Sequence, residues 1–147
     1  MKGAKPDLRN VIPMKGDVAP RPVPDAPEFM SDTARKVWDE LAGVLVGKGR
    51  LEPSYVYQFA AYCESVANFI ETTACLAIEG KYYETKTRNG LQQKKTASWG
   101  QQQEAMSAMA RGAALFGLSP VDEARLKVTG QGDLFDDLMK QLKNGPG

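Results

Sequence analysis

EPSYVYQFAAYCESVANFIETTACLAIEG, residues 52–80, is the longest periodic stretch of the chain, with no glycine before Gly80 and no proline beyond Pro53. At about 100° per residue, Tyr55, Val56, Phe59, Tyr62, Cys63, Val66, Phe69, Ile70 and Leu76 share one face, while Glu64, Asn68 and Glu71 fall opposite. Pro53 suits a first helical turn, where a missing N–H costs nothing. Gly80 suits the stop. The pattern predicts one helix about 40 Å long. Its apolar face is wider than a surface helix needs. That width predicts two contacts, one with the chain's own core and one with a second chain.

Toward the N-terminus, a first helix is expected from Ser31 or Asp32, either of which can cap it. Ala34, Val37, Trp38, Leu41, Val44 and Leu45 give its buried face, and Gly47 and Gly49 end it. Trp38 reads as a core anchor. The link Gly47-Lys48-Gly49-Arg50 joins two helices tightly, a geometry shared with DNA-binding helix-turn-helix units. The start of the long helix lacks the arginine or lysine cluster that reads a major groove, so a structural αα-hairpin is expected. Lys48 and Arg50 remain candidate phosphate contacts.

Beyond Gly80 the pattern changes to KYYETKTRNGLQQKKTASW, polar and rich in β-formers. Asn89-Gly90 predicts a two-residue type I′ turn between strands at 82–88 and 91–96. Lys81, Lys86, Arg88, Lys94 and Lys95 stand there against Glu84 alone. Such a ribbon fits phosphate contact, and equally the lysine protection of an exposed sheet edge. An alanine-rich helix follows over 98–116, with a seam of Trp99, Gln102, Met106, Met109, Ala113 and Phe116. Ser119-Pro120 starts a short fourth helix. After Gly130 and Gly132, Leu134, Phe135, Leu138 and Leu142 form an apolar stripe suited to docking on a partner.

The 147 residues carry a formal net charge of +1, so charge has to be read by segment. Residues 1–27 hold six prolines and little apolar content, and are expected to form an extended, flexible arm. Lys2, Lys5, Arg9, Lys15 and Arg21 give that arm a basic character suited to a nucleic-acid backbone. No apolar run reaches membrane-spanning length and no secretory signal opens the chain, so a cytoplasmic location is expected. Histidine is absent, which removes the commonest general base and metal ligand. Cys63 and Cys75 lie about 18 Å apart along one helix, too far for a disulfide. No nucleophile elbow, phosphate loop, dinucleotide loop or metal motif is present. The expectation is a non-enzyme without cofactor, metal or catalytic residues.

The order of these elements resembles the small terminase subunits of tailed phages, specifically the P27 type. The resemblance rests on PVPDAPEFMSDTARKVWDELAGVL at 22–45, on LEPSYVYQFAAYCESVANFIE with its Tyr62-Cys63 pair, on the Asn89-Gly90 ribbon, and on LFGLSPVDEARLKV at 115–128. Members often carry Thr or Ser where this chain has Glu52, and a proline where it has Thr96–Trp99. The resemblance implies a DNA-packaging component that assembles into a ring, recognises viral double-stranded DNA and recruits or regulates a large ATPase/nuclease subunit. The fold expected is mainly α, a helical bundle around one long helix with a β-hairpin insertion at 81–97. It divides into an arm at 1–27, a core at 28–128 and a docking tail at 129–147. Tyr55, Tyr62, Phe69 and Leu76, at steps of seven, are the candidate subunit contact. An alternative is an interaction module that binds no DNA and docks through Gln131-Gly132-Asp133-Leu134-Phe135, similar to peptides that bind sliding clamps.

Overall fold

A computed structural model describes residues 20–145, with the side chains of residues 129–134 outside that description. Helix α1 spans Asp32–Gly47 and α2 spans Val56–Glu79, entered through a 3-10 turn at Pro53–Tyr55. Strands β1 (Tyr82–Thr87) and β2 (Gly90–Lys95) form an antiparallel hairpin. Helices α3 (Ala97–Phe116) and α4 (Pro120–Lys143) complete the chain. The architecture is mainly α with one small hairpin.

Local chemistry sets the helix ends. Ser31 caps α1, its Oγ accepting from the Ala34 N–H at 3.2 Å. The same residue donates through N and Oγ to the Glu64 carboxylate at 2.7 and 3.0 Å. The start of α1 is thereby tied to the middle of α2. At 16 residues against 24, α1 is about 12 Å shorter than α2. It therefore covers only the N-terminal half of its neighbour, where Phe59, Ala60, Cys63 and Ala67 are buried. Past that point Ile70 and Ile78 lie exposed. The wide face of α2 is used by two helices of its own chain, α3 most extensively and α1 next.

Phe59 is fully buried at the centre of the core. Its ring meets Trp38 of α1 at 4.7 Å between centroids, Phe116 of α3 edge-on at 5.4 Å, and Tyr62 stacked at 6.2 Å. Trp38 is the anchor its spacing predicts. Its indole N–H donates to the Pro24 carbonyl at 3.1 Å, which pins the segment before α1 against the bundle. Pro24, Ala26 and Pro27 are half-buried there. The expected arm boundary at residue 27 thus falls inside a packed segment.

Three details of the sequence reading are corrected. Val44 and Met106 are exposed, and Ala42, Val46 and Ala105 take the buried positions, so the buried arcs of α1 and α3 are rotated from those expected. The hairpin turns one residue early. Thr87 pairs with Gly90, so Arg88-Asn89 is the loop. Among the described residues no non-glycine has positive φ, and Gly90 alone takes φ 109°, which excludes a type I′ turn at Asn89-Gly90. Third, α4 runs unbroken through Gly130 and Gly132 where a short helix and a separate tail were expected. Each glycine costs a helix only about 1 kcal/mol, and 24 residues of helix absorb two of them.

At Gly112, α3 packs directly against Tyr62 of α2. A Cβ there would stand 2.8 Å from Cδ2 and 3.2 Å from Cβ of Tyr62. Gly112→Ala is expected to destabilise the protein by about 1–3 kcal/mol through overpacking. In a Tyr62→Ala background, which removes the ring but keeps the Cβ, the same change should cost clearly less, with a helix-propensity gain of up to about 1 kcal/mol acting against what remains. Denaturant midpoints of the four chains check this, and equal effects in both backgrounds would contradict the contact.

Candidate nucleic-acid interface

Strand alternation sorts the hairpin side chains. Tyr82, Glu84 and Lys86 share a face with Leu91, Gln93 and Lys95; Tyr83 and Thr85 share the other with Gln92 and Lys94. Arg88 sits in the loop. The first face leans on α3 only at its root. There Tyr82 meets Trp99 edge-on at 5.3 Å, and the Lys95 ammonium lies 4.5 Å from the Trp99 ring centre. Thr96 closes the base, its N–H donating to Lys81 O and its Oγ1 to Gly80 O, both at 2.9 Å. Ser98 donates to Glu79 at 2.7 Å, and the Gln102 amide donates to Thr73 at 2.9 Å. The rest of the ribbon projects from the bundle with nearly every side chain exposed. Lys86, Arg88 and Lys94 form no salt bridge among the described residues. Four of the candidate cations therefore gather on one projecting element.

The link cations are used differently. Lys48 Nζ lies 2.8 Å from Glu123 Oε1, and Arg50 Nη2 lies 3.7 Å from it. Arg50 also donates to the Phe116 and Gly117 carbonyls at 3.4 and 3.1 Å. Those are the unpaired acceptors at the end of α3, and Arg50 caps them. Its side chain is only 12% exposed, which leaves little of it for a phosphate. Lys127 adds a third cation 3.9 Å from Glu123. The hydrogen bond from Lys48 and the surrounding positive charge hold the Glu123 carboxyl below the usual carboxylate range. No sequence pattern pointed to Glu123, because its partner Lys48 is 75 residues away.

Of the arm cations, Arg21 lies 3.9 Å from Glu52, while Lys2, Lys5, Arg9 and Lys15 fall outside the described residues. Tyr55 is exposed, and Tyr62, Phe69 and Leu76 are half-buried. Tyr62 lines an open groove with Val37, Leu41, Val66, Ile70 and Met109, where α1, α2 and α3 meet. In α4, Phe135, Leu138 and Leu142 are exposed, and the Leu134 side chain lies outside the described ones. Burial pushes the Cys63 thiol up to about 12, helped by the neighbouring Glu64 charge, so it acts as a core filler. Among the described residues no group of acidic and cysteine side chains has a metal-holding arrangement, and no helix is long and apolar enough to cross a membrane.

A helical bundle bearing a basic ribbon narrows the class, and comparison with known families completes it. Residues 34–133 match the family described as phage terminase, small subunit, and the chain belongs to that family. Its role lies in the packaging of phage DNA. The P27 type is narrower than this match and stays a resemblance. No curated protein and no solved structure matches the chain.

Glu123→Gln should lower the urea midpoint at neutral pH by loosening α4 from the α1–α2 link. The depressed pKa of Glu123 means that its contribution is present above the unfolded-state value and is lost as pH falls through the folded one. The gap between variant and wild type should therefore close on acidification. A gap unchanged at acid pH would show that the charge of Glu123 is not its source.

Proposed function

We propose that the protein is a non-catalytic, ring-forming packaging subunit that holds double-stranded DNA through its hairpin and recruits or regulates the large terminase subunit. The observation that carries the DNA reading is the projecting ribbon, with Lys86, Arg88 and Lys94 unpaired among the described residues and Lys95 at its root. Edge protection accounts for lysines on such a ribbon, but family membership gives a polyanion as the natural occupant. Phosphate contacts fix position on the duplex and do not read sequence. Repetition of the ribbon around an assembly multiplies them, converting weak single contacts into avidity. Lys48 and Arg50 are left out of the proposed contact, because both serve the junction at Glu123.

The reading predicts a solution mass several times the 16.0 kDa of one chain. It also predicts DNA affinity that falls steeply with salt, with a slope near 0.9 per phosphate neutralised. Changing Lys86, Arg88, Lys94 and Lys95 together to alanine should weaken binding by at least about tenfold and flatten that slope. A titration at two salt concentrations, set beside native mass spectrometry, checks both. Unchanged affinity and slope would remove the hairpin from the DNA interface, and a monomer at micromolar concentration would remove the ring.

A further inference from the structure

We infer that the last turns of α4 dock in the apolar groove of the next copy of this chain, a contact that rests on the assembly proposed above and says how it is built. Two open apolar surfaces carry the inference. Phe135, Leu138, Met139 and Leu142 share one face of α4 and are 62, 54, 40 and 70% exposed, so their own chain leaves them uncovered. The groove has Tyr62, Val66 and Ile70 of α2 along its floor, Val37 and Leu41 of α1 on one side and Met109 of α3 on the other. No residue of α4 lines it. The chain's own α4 is fastened elsewhere, at Glu123 against Lys48 and Arg50. Along a helix, residues 135–142 span about 10.5 Å and residues 62–70 about 12 Å, so the two surfaces match in length. They are different surfaces, so the contact is head-to-tail. Each copy gives a helix to one neighbour and a groove to the other, which is the kind of contact that closes a ring.

Charge selects the occupant and its direction. Lys36 and Glu40 stand exposed on the α1 side of the groove, and the α3 side contributes no charge. On α4, Asp136 and Lys143 lie on one flank of the apolar face and Gln141 on the other. None of these four charges has a salt bridge among the described residues. Helix α1 runs antiparallel to α2, since Ser31 meets Glu64 and Trp38 meets Phe59. Helix α3 does the same, since Gln102 meets Thr73 and Gly112 meets Tyr62. A helix laid on α2 between them turns its Asp136–Lys143 flank toward α1 only when it runs parallel to α1. Reversed, that flank faces Met109. The signs agree with the parallel direction, which brings Asp136 to Lys36 and Lys143 to Glu40. Helix handedness and charge order thus choose the same arrangement, with Phe135 over Ile70 and Leu142 over Tyr62. The sequence expectation that this face docks on the large subunit names the competing occupant.

The test uses neither DNA nor the large subunit. In the full chain with Cys75→Ser, Ile70→Cys and Phe135→Cys are combined, and mild oxidation is followed by denaturing electrophoresis, with helicity checked by circular dichroism. Each copy offers one groove and one helix, so the linked chains should form a ladder of dimers, trimers and larger species. Ile70→Cys combined with Leu142→Cys should link several-fold less. Lys36→Glu should reduce the Ile70–Phe135 ladder several-fold, and adding Asp136→Lys should restore it. Dimers without larger species would overturn the head-to-tail contact, and equal ladders from the two cysteine pairs would overturn the direction. A native multimer that gives no ladder would overturn the docking, hand this face of α4 to the large subunit and leave the ring reading standing. A native monomer without links would overturn both.

Discussion

Phe59 is the point on which this fold closes. One buried ring touches Trp38, Tyr62 and Phe116, so α1, α2 and the end of α3 all meet at a single side chain. Aromatic pairs of this kind contribute about 0.5–1.5 kcal/mol each beyond the area they bury. Trp38 extends the cluster outward through its bond to Pro24. Phe116 extends it to Gly117 and the turn into α4. The small side chains of the same core, Ala60 and Ala67, let the helix backbones come close enough for the rings to interlock.

A second joint is electrostatic. The α1–α2 link sends Arg50 to the carbonyl end of α3 and, with Lys48, to a carboxylate in the first turn of α4. Both arrangements follow the helix dipole, with a cation at a C-terminus and an anion near an N-terminus. Two side chains of the link thus hold the end of α3 and the start of α4, from 66 to 75 residues further along the chain. The basic look of Gly47-Lys48-Gly49-Arg50 is therefore structural in origin. Among the described residues, the densest group of cations left without a salt bridge is on the hairpin.

Much of this was legible in the sequence. Pro53 and Gly80 bracketed α2, Ser31 and Gly47 bracketed α1, and Gly117 stopped α3, because each acts through backbone chemistry local to a helix end. The hairpin was legible from composition, but its register was not. A type I′ turn asks two residues for positive φ, and here only Gly90, the strand residue that follows the Arg88-Asn89 loop, takes it. The rotated buried arcs of α1 and α3 escaped periodicity, which locates an apolar face but not the neighbours that cover its two edges. The roles of Lys48 and Arg50 were hidden for another reason. Charge runs in sequence say nothing about a carboxylate brought in from the far end of the chain.

The root of the hairpin carries a consequence of its own. Thr96 closes the base of the ribbon and Trp99 carries Tyr82 and Lys95, while bonds from Ser98 and Gln102 tie α3 to α2 beneath it. Its ordering entropy is therefore met during folding and not at the moment of contact. Beyond that root the ribbon touches little of the bundle, so most of residues 83–94 are uncoupled from the core. The ribbon behaves as an interchangeable head on a fixed mount. Changes at its tip, in charge, length or aromatic content, leave the packing around Phe59 as it is.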